Sequence, residues 1–474
     1  MNIDKYKKYL IYLASKHNIN IENIDIELLL KITTIMLEFI EENILQIMYC
    51  DLYDHVYDYS YSLMYNEFID TNILETIYIL SKMEAIKLLK TYMNICLSFI
   101  FKYIIPKRSY KKSYIRSNKI NYVKIENQLE KLKSIIQPEQ RSDEWYIFRN
   151  STLTASNIYK IFVSDYTQTQ LILEKCEPLD INKFKVTNTN SPLHWGQKYE
   201  PVSILYYEYL NNTKVTEFGC IPHKDYSYIA ASPDGIICDS NSKLFGRMLE
   251  IKNVVSREIT GIPKMEYWIQ MQLQMEVCDL NECDFLETKF IQYSNEEEYR
   301  EDNEIEYKGI ILQYLKNESP YYVYAPFTLM NLDSVEYKNW ENEEMKKNKD
   351  LELITKIYWK LEKISCVLVL RNKLWFKKVQ PMIEIFWDNL IKERDNGEYK
   401  YRVKNKRKLA LEDAKSKSDF PKSGCLIDPK LFKKEENIIL KMDTDVKEEN
   451  IILKMDTDVK EENIFLTLDT EVNK

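Results

Sequence analysis

The chain has 474 residues, of which 45% are apolar, enough for two or three domains around a sizeable core. Its formal net charge of −8 excludes a surface coated in positive charge, and no stretch reaches the roughly 18 apolar residues that a membrane-crossing helix needs. The nine cysteines stand singly, with no CxxC pair. That argues against a zinc or iron–sulfur cluster and for small core residues in a reducing compartment.

The first twenty residues, MNIDKYKKYLIYLASKHNIN, lack the apolar core and cleavage site of a signal peptide. An intracellular, non-secreted protein is the expectation. Residues 1–105 carry apolar residues at spacings of three and four, as in MEAIKLLKTYMNICLSFIFKYII, and predict a helical accessory domain. The most apolar run, TYMNICLSFIF, is bracketed by lysines and predicts the buried face of a helix. Residues 106–136 are expected as a basic linker. Its part 106–124 holds seven Lys or Arg, no acid, and Tyr110, Tyr114 and Tyr122 in between. Such a stretch suits a phosphate backbone with stacked bases and suits a solvated connector equally.

Residues 137–395 mix both periodicities. Short apolar runs at 215–221, 228–232, 247–251 and 286–292 predict strands, and 193–210 and 263–278 predict helices. Beyond residue 351 a helix, a strand over 364–370 and a further helix bearing Trp375, Phe386 and Trp387 are expected. The fold class is thus α/β (α+β), a strand cluster flanked by helices. Residues 396–433 are basic and polar and predict a linker. The tail, 434–474, carries KEENIILKMDTDV twice and KEENIFLTLDTEV once. Over 434–472 it has five lysines against twelve acids, a net of −7, which leaves the rest of the chain near −1 and a local basic groove permitted.

The chemistry concentrates in SPDGIICDSNSKLFGRMLEIK, residues 232–252. Residues two apart on a strand share a face. Glu250 and Lys252 therefore point one way and Leu249 and Ile251 the other. The turn CDSNSKLFG joins this strand to one ending near SPDG, and antiparallel pairing brings Asp234 close to Glu250. Two converging carboxylates repel unless a cation lies between them. Oxygen donors without a histidine partner favour Mg²⁺ or Mn²⁺. An ammonium beside such an ion can orient a water or hold charge developing on a phosphate. Taken alone, the Glu250–Lys252 pair reads as a surface ion pair; the Asp-Gly turn before it and the residues around it lift the functional reading.

The pattern D…ExK on two strands resembles the PD-(D/E)XK nucleases, and more narrowly the lambda-exonuclease and YqaJ-type viral recombinase family. The similarity runs over about residues 138–300, more weakly to about 395. Its pieces stand in the family's order: RSDEWYIFRNSTLTAS (141–156), HWGQKYEP (194–201), AASPDG (230–235), LEIK (249–252) and YWIQMQLQMEV (267–277). By this resemblance Glu200, Asp234 and Glu250 are metal ligands, with the carbonyl of Ile251 as a fourth, and two Mg²⁺ or Mn²⁺ ions are the cofactors. Lys252 activates or orients the water and Gln270 helps position it, while Gln272 and Gln274 are expected on other faces of their helix.

By the same resemblance Arg149, Ser156 and Ser232 bind a 5′-terminal phosphate with help from Thr154, and guanidinium and hydroxyl donors suit that role. A salt bridge closing the domain is the lesser alternative for Arg149, and Ser156 can equally cap a helix. Trp145 and Trp195 are expected as packing anchors, and the glycine of WGQKYE as a point of close packing. The resemblance implies a central mixed sheet of the restriction-endonuclease-like core; the helical N-terminal extension and the repeat tail depart from a minimal phage exonuclease, which lacks them. It implies an exonuclease resecting duplex DNA ends 5′ to 3′ for viral recombination or repair, with a single-strand annealing protein as partner, no membrane, and a homo-oligomer among the options. The expected setting is the host cytoplasm or a viral factory, and virion packaging is compatible with it. An endonuclease on the same fold, or a non-catalytic DNA-binding or virion protein, are the alternative classes.

Overall fold

The computed structural model describes residues 7–15, 23–50, 52–114, 121–181, 188–189 and 191–402. The expected tail, and the expected linker from residue 403 onward, lie outside the described residues. Residues 1–400 form one compact unit.

The unit begins with helices α1 (Lys7–Ser15), α2 (Asn23–Asn43), α3 (Leu52–Phe68), α4 (Ile73–Tyr78) and α5 (Lys82–Tyr103). In α5, a capping box at Ser81 and Glu84 satisfies the first orphan donors, and Tyr92, Met93, Cys96, Phe99 and Ile100 are buried. TYMNICLSFIF thus lies on a buried helix. Asp25 is buried among these helices and accepts hydrogen bonds from Tyr78 Oη at 2.6 Å and from the Tyr92 hydroxyl.

Residues 106–136 continue into the core. Tyr110 forms a β-bridge with Leu368, and Ser113 donates its amide to the Cys366 carbonyl at 2.9 Å. Helix α6 (Tyr122–Ser134) follows, with Leu129 and Leu132 buried. Next come α7 (Asp143–Asn150), β1 (Leu153–Thr154), α8 (Lys160–Val163), α9 (Asp165–Cys176) and α10 (Pro192–Asn211). The strands β2 (Val215–Thr216), β3 (Ile221–Pro222), β4 (Ile229–Ala231), β5 (Gly235–Ile237) and β6 (Met248–Asn253) lead to α11 (Met265–Cys278) and β7 (Glu282–Gln292). After α12 (Glu296–Glu301) come β8 (Lys308–Lys316), β9 (Ser319–Tyr324), α13 (Val335–Lys347), β10 (Glu352–Leu370) and α14 (Lys373–Asn396).

Among the described residues the strands make a seven-stranded mixed sheet, ordered β2-β5-β6-β7-β10-β8-β9, and a three-stranded one, β1-β4-β3. β5 and β6 are antiparallel, with Gly235 opposite Leu249, while β6 and β7 are parallel and joined by the α11 crossover. Helices flank this mixed sheet, so the molecule has the expected α/β architecture. One apolar cluster under β6 joins Tyr207 of α10 with Ile237, Leu249, Ile251 and Leu286. Another joins Tyr199 and Tyr206 of α10 with Phe290, Ile311 and Trp359.

Two local expectations fail. The helix expected at the start of 351–395 is strand. Residues 352–370 form one strand that pairs with β8 through its first half and with β7 through its second. Leu353, Ile354 and Ile357 offer weak apolar periodicity among charged neighbours, and cross-strand pairing overrides it. Gly196, in WGQKYE, does not mark close packing, because a Cβ there meets nothing within 4 Å. Close approach occurs instead at Gly235, where a Cβ would lie 2.1 Å from Val215 Cγ1.

Candidate active site

The hairpin geometry of β5 and β6 places the acid-and-lysine set. Asp234 directly precedes β5, and its Oδ2 accepts the Ile251 amide at 2.6 Å. This bond ties the SPDG turn to β6 and holds the Asp234 carboxylate alongside Glu250. Glu250 itself is fully buried. One of its oxygens takes the ammonium of Lys252, two residues along the same strand face. The other, Oε2, accepts from Gln274 Nε2 at 2.7 Å. A buried carboxylate needs such partners, because an unpaired one costs several kcal/mol, on the order of the whole stability margin.

Glu200 approaches from α10. Ser191 caps this helix through its bond from the His194 amide, at 3.1 Å, and Pro192 sits in its first turn. Pro201 lies inside α10 and has no amide hydrogen, which breaks the backbone ladder beside Glu200. Asn253, at the end of β6, donates to the Gly196 carbonyl at 2.9 Å and accepts from Ser203 Oγ at 2.7 Å. These bonds fix α10 against β6.

The Glu250 charge acts on both other acids. Burial, then the Glu250 charge, push the Asp234 carboxyl well above the usual aspartate range, against the pull of Lys252. Burial also raises Glu200. Arg141 opposes that shift, and Glu250 adds to it. At Lys252 burial works against the charge, but Glu250 and Asp234 outweigh it and hold the ammonium above the usual lysine range. The set is rich in negative charge and holds one half-buried cation, Lys252.

Its donors are all oxygen, the chemistry that suits a hard divalent ion. Among the described residues, no three His, Cys, Asp or Glu side chains are gathered closely enough to hold an ion as they stand. In this arrangement Lys252 and Gln274 satisfy Glu250.

A second corner lies on the other side of Ser232. Arg149, in the last turn of α7, donates from Nη2 to Ser156 Oγ at 3.2 Å, and its guanidinium stacks over the Trp145 ring at 4.5 Å. Thr154 Oγ1 stands 3.2 Å from the same Ser156 hydroxyl. Parallel pairing of β1 with β4 sets Thr154 opposite Ala230, two residues before Ser232. The Ser232 hydroxyl is buried beside the Cys220 thiol. Burial raises that thiol, while the charges of Arg149 and Lys175 draw it down. Arg149, Thr154 and Ser156 thus form one hydrogen-bonded group, with Ser232 across Cys220 from it. Ser156 is exposed and caps no helix; the cap-like bond here runs from the Thr154 amide to Asn157 Oδ1, at 3.0 Å. Arg149 closes no salt bridge among the described residues.

The residue that joins the two corners is Gln274. Its Nε2 donates to Glu250 and also to the Ser232 carbonyl, at 3.1 Å. The expectation that a helix turns Gln274 away from Gln270 is corrected here. Four residues on an α-helix nearly complete a turn, so the two share a face. Gln270 is half-buried and makes no side-chain hydrogen bond to a described residue. Gln272 does face elsewhere: it donates to the Leu370 carbonyl at 2.9 Å and accepts the Asn372 amide at 2.6 Å. The signal that could have found Gln274 was its i+4 spacing from Gln270. Trp195 packs against the Tyr199 ring, at 4.6 Å between centroids, as an anchor of the α10 core.

Known proteins place this region. Residues 144–281 match the family model of the YqaJ-like viral recombinase domain. An uncharacterized protein of Acanthamoeba polyphaga mimivirus is 30% identical over 339 residues, covering 62% of this chain and 58% of that protein. The chain therefore spans less than two thirds of that relative's length. An alkaline exonuclease from Laribacter hongkongensis is 18% identical, with 55% of this chain and 98% of that chain covered and a TM-score of 0.32. The same exonuclease in complex with dAMP gives the same figures, a TM-score of 0.32 at 18% identity. The matched span, residues 144–281, carries the acid cluster, Lys252 and the Arg149 corner.

Proposed function

We propose that this protein is a metal-dependent deoxyribonuclease that resects duplex DNA ends, 5′ to 3′, in viral recombination or repair. One observation carries the reading. The Glu250 charge raises the cost of ionising both Asp234 and Glu200 beside a single charged lysine, and Gln274 ties that cluster to the Arg149–Ser156 corner. A structural ion pair has no need of the two further acids.

Glu200, Asp234 and Glu250, with the Ile251 carbonyl, would hold Mg²⁺ or Mn²⁺, two ions by resemblance. When bound, such ions lower the pKa of a water and stabilise charge on a phosphodiester. The chain's own residues do the rest. Lys252 keeps its proton and holds the attacking water or the charge that grows on the phosphate oxygens. Gln270 positions that water from the face it shares with Gln274. Arg149 supplies a paired, charge-assisted contact to a terminal 5′ phosphate, and Thr154, Ser156 and Ser232 add neutral donors. With the phosphate held there, the adjacent phosphodiester falls to the acid cluster.

A single-strand annealing protein would consume the exposed 3′ strand, and a homo-oligomer is compatible with end resection. Among the described residues no helix is long and apolar enough to cross a membrane, and the mimiviral relative suits an intracellular viral setting.

The test uses linear duplex with and without a 5′ phosphate, and a covalently closed circle, in Mg²⁺. Wild type is run beside Lys252→Ala and beside wild type with EDTA. The expected result is loss of the 5′-phosphorylated linear DNA only, abolished by the substitution and by the chelator. Cutting of the circle would make the protein an endonuclease. Binding without any cutting would leave a DNA-holding protein on a nuclease fold.

A further inference from the structure

Tyr267 has no role in the site described above, yet it packs on the lysine of that site. It lies in the first turn of α11, three residues before Gln270 and seven before Gln274, a spacing that puts all three on one helix face. Two cations lie over its ring: the Lys252 ammonium, 5.1 Å from the ring centre, and the Arg257 guanidinium, at 5.5 Å. Phe285 packs against the same ring, at 5.7 Å between centroids. Phe285 is buried and stands in register with Glu250, the acid to which Lys252 is paired.

The strands show why a ring matters at this point. Residues in register on parallel neighbours point to the same side of the sheet, and the strands stand about 4.8 Å apart, within reach of a lysine stem. Lys252 is in register with Glu287 of β7. Its ammonium therefore has two carboxylates to choose from: Glu250 on its own strand, and Glu287 across the ladder. Glu287 is buried. Arg257 closes an ion pair with its Oε1, while Oε2 has no hydrogen-bond partner among the described residues. A buried carboxylate oxygen left unmatched competes strongly for an ammonium. Lys252 nevertheless pairs with Glu250.

We propose that Tyr267 is a positioning residue: the face of its ring, with Arg257 occupying Glu287, keeps the Lys252 ammonium on Glu250 and off Glu287. The inference rests on the nuclease reading above, in which Lys252 holds the attacking water or the charge on the phosphate. An aromatic face attracts a cation through its quadrupole. It holds the ammonium without consuming any of the three N–H donors that lysine carries. Those donors stay available to Glu250 and to the water or phosphate oxygen. Lysine sits on a flexible four-carbon stem, so its aim has to come from such neighbours.

The test compares Tyr267→Leu, Tyr267→Phe, and Tyr267→Leu combined with Glu287→Gln, all in the full chain. The first readout needs no turnover. Lysines are isotopically labelled at Cε and their NMR signals recorded in EDTA; the signal missing from Lys252→Ala belongs to Lys252. Ring current moves a methylene over an aromatic face upfield. The Lys252 signal should stand upfield in wild type and in Tyr267→Phe, and return to the ordinary lysine position in Tyr267→Leu. The second readout is kinetic, per folded molecule, with folding followed by thermal melting. Tyr267→Leu should lower kcat about tenfold or more while KM moves far less. Tyr267→Phe retains the ring face and should recover most of that loss. Glu287→Gln removes the competing charge and should recover part of it.

A Lys252 signal that stays in place in Tyr267→Leu overturns the inference. So does a kcat that falls as far in Tyr267→Phe as in Tyr267→Leu, or that Glu287→Gln does not recover at all. If wild type does not cut DNA, the nuclease reading fails, and the Lys252 signal alone decides whether Tyr267 places the ammonium. If wild type cuts and Tyr267→Leu matches it, this inference alone fails.

Discussion

Gln274 shows how one side chain can bind a site together. Its amide serves a buried carboxylate and a backbone carbonyl at once. A hydrogen bond to a charged group contributes about 1.5–3 kcal/mol, and more is lost when the group stays buried without it. Gln274→Leu should therefore cut the nuclease rate at least tenfold while the protein stays folded. Gln272→Leu should do the reverse. Its amide bonds only Leu370 and Asn372, so melting temperature should fall and the rate per folded molecule should hold. A nuclease assay beside thermal unfolding decides the pair; equal effects from both substitutions would remove Gln274 from the site. The sequence showed three glutamines at alternate positions, QMQLQ, a spacing that reads as strand-like. Only the helical period separates them, and it couples Gln274 to Gln270.

At the scale of elements, the β5–β6 hairpin was readable because two independent periodicities agree. The ExK pair shares a strand face, and the turn CDSNSKLFG between the two strands returns the chain antiparallel. What the sequence hid is why Gly235 is there. A Cβ at Gly235 would lie 2.1 Å from Val215 Cγ1, so β2 approaches β5 too closely for any side chain. Overpacking of this kind costs about 1–3 kcal/mol. Gly235→Ala should thus lower the melting temperature by several degrees and shift the neighbouring Asp234, with loss of nuclease rate. Val215→Ala in the same chain should recover part of both. Failure of the second substitution to recover either would place the strain elsewhere. β10 escaped the sequence for the opposite reason. Its first half is exposed and charged, with lysines and acids interleaved, and only pairing with β8 makes it strand. Strand propensity is set by neighbours across the ladder, which a single sequence does not display.

For the whole molecule, the helical region 1–105 is fastened to the sheet by buried polar contacts rather than tethered beside it. Arg108, itself buried, donates to the Ile47 and Met48 carbonyls at 3.0 and 3.2 Å. Trp268 of α11 returns a bond to the Arg108 carbonyl at 2.8 Å. Residues 110–113 then pair along β10, covering backbone that β8 leaves open. Arg247, 2% exposed, locks this segment: it bonds Glu282 at 2.8 Å, Asp284 at 2.9 Å, Ser113 Oγ at 3.2 Å and the Tyr114 carbonyl at 3.1 Å. Removing one member of a buried, hydrogen-bonded charge pair costs about 3–5 kcal/mol, because the partner stays buried and charged. Arg247→Met should lower the urea midpoint accordingly. Ser113→Ala should cost about 1 kcal/mol, and less than that in the Arg247→Met background, since the two share one network. Additive losses would mean that the connector and the sheet are stabilised separately, as in a tethered accessory domain. Coupled losses would mean that the helical region and the nuclease-like core unfold as one unit, so that contacts made at residues 1–105 are transmitted to the strands flanking Glu250.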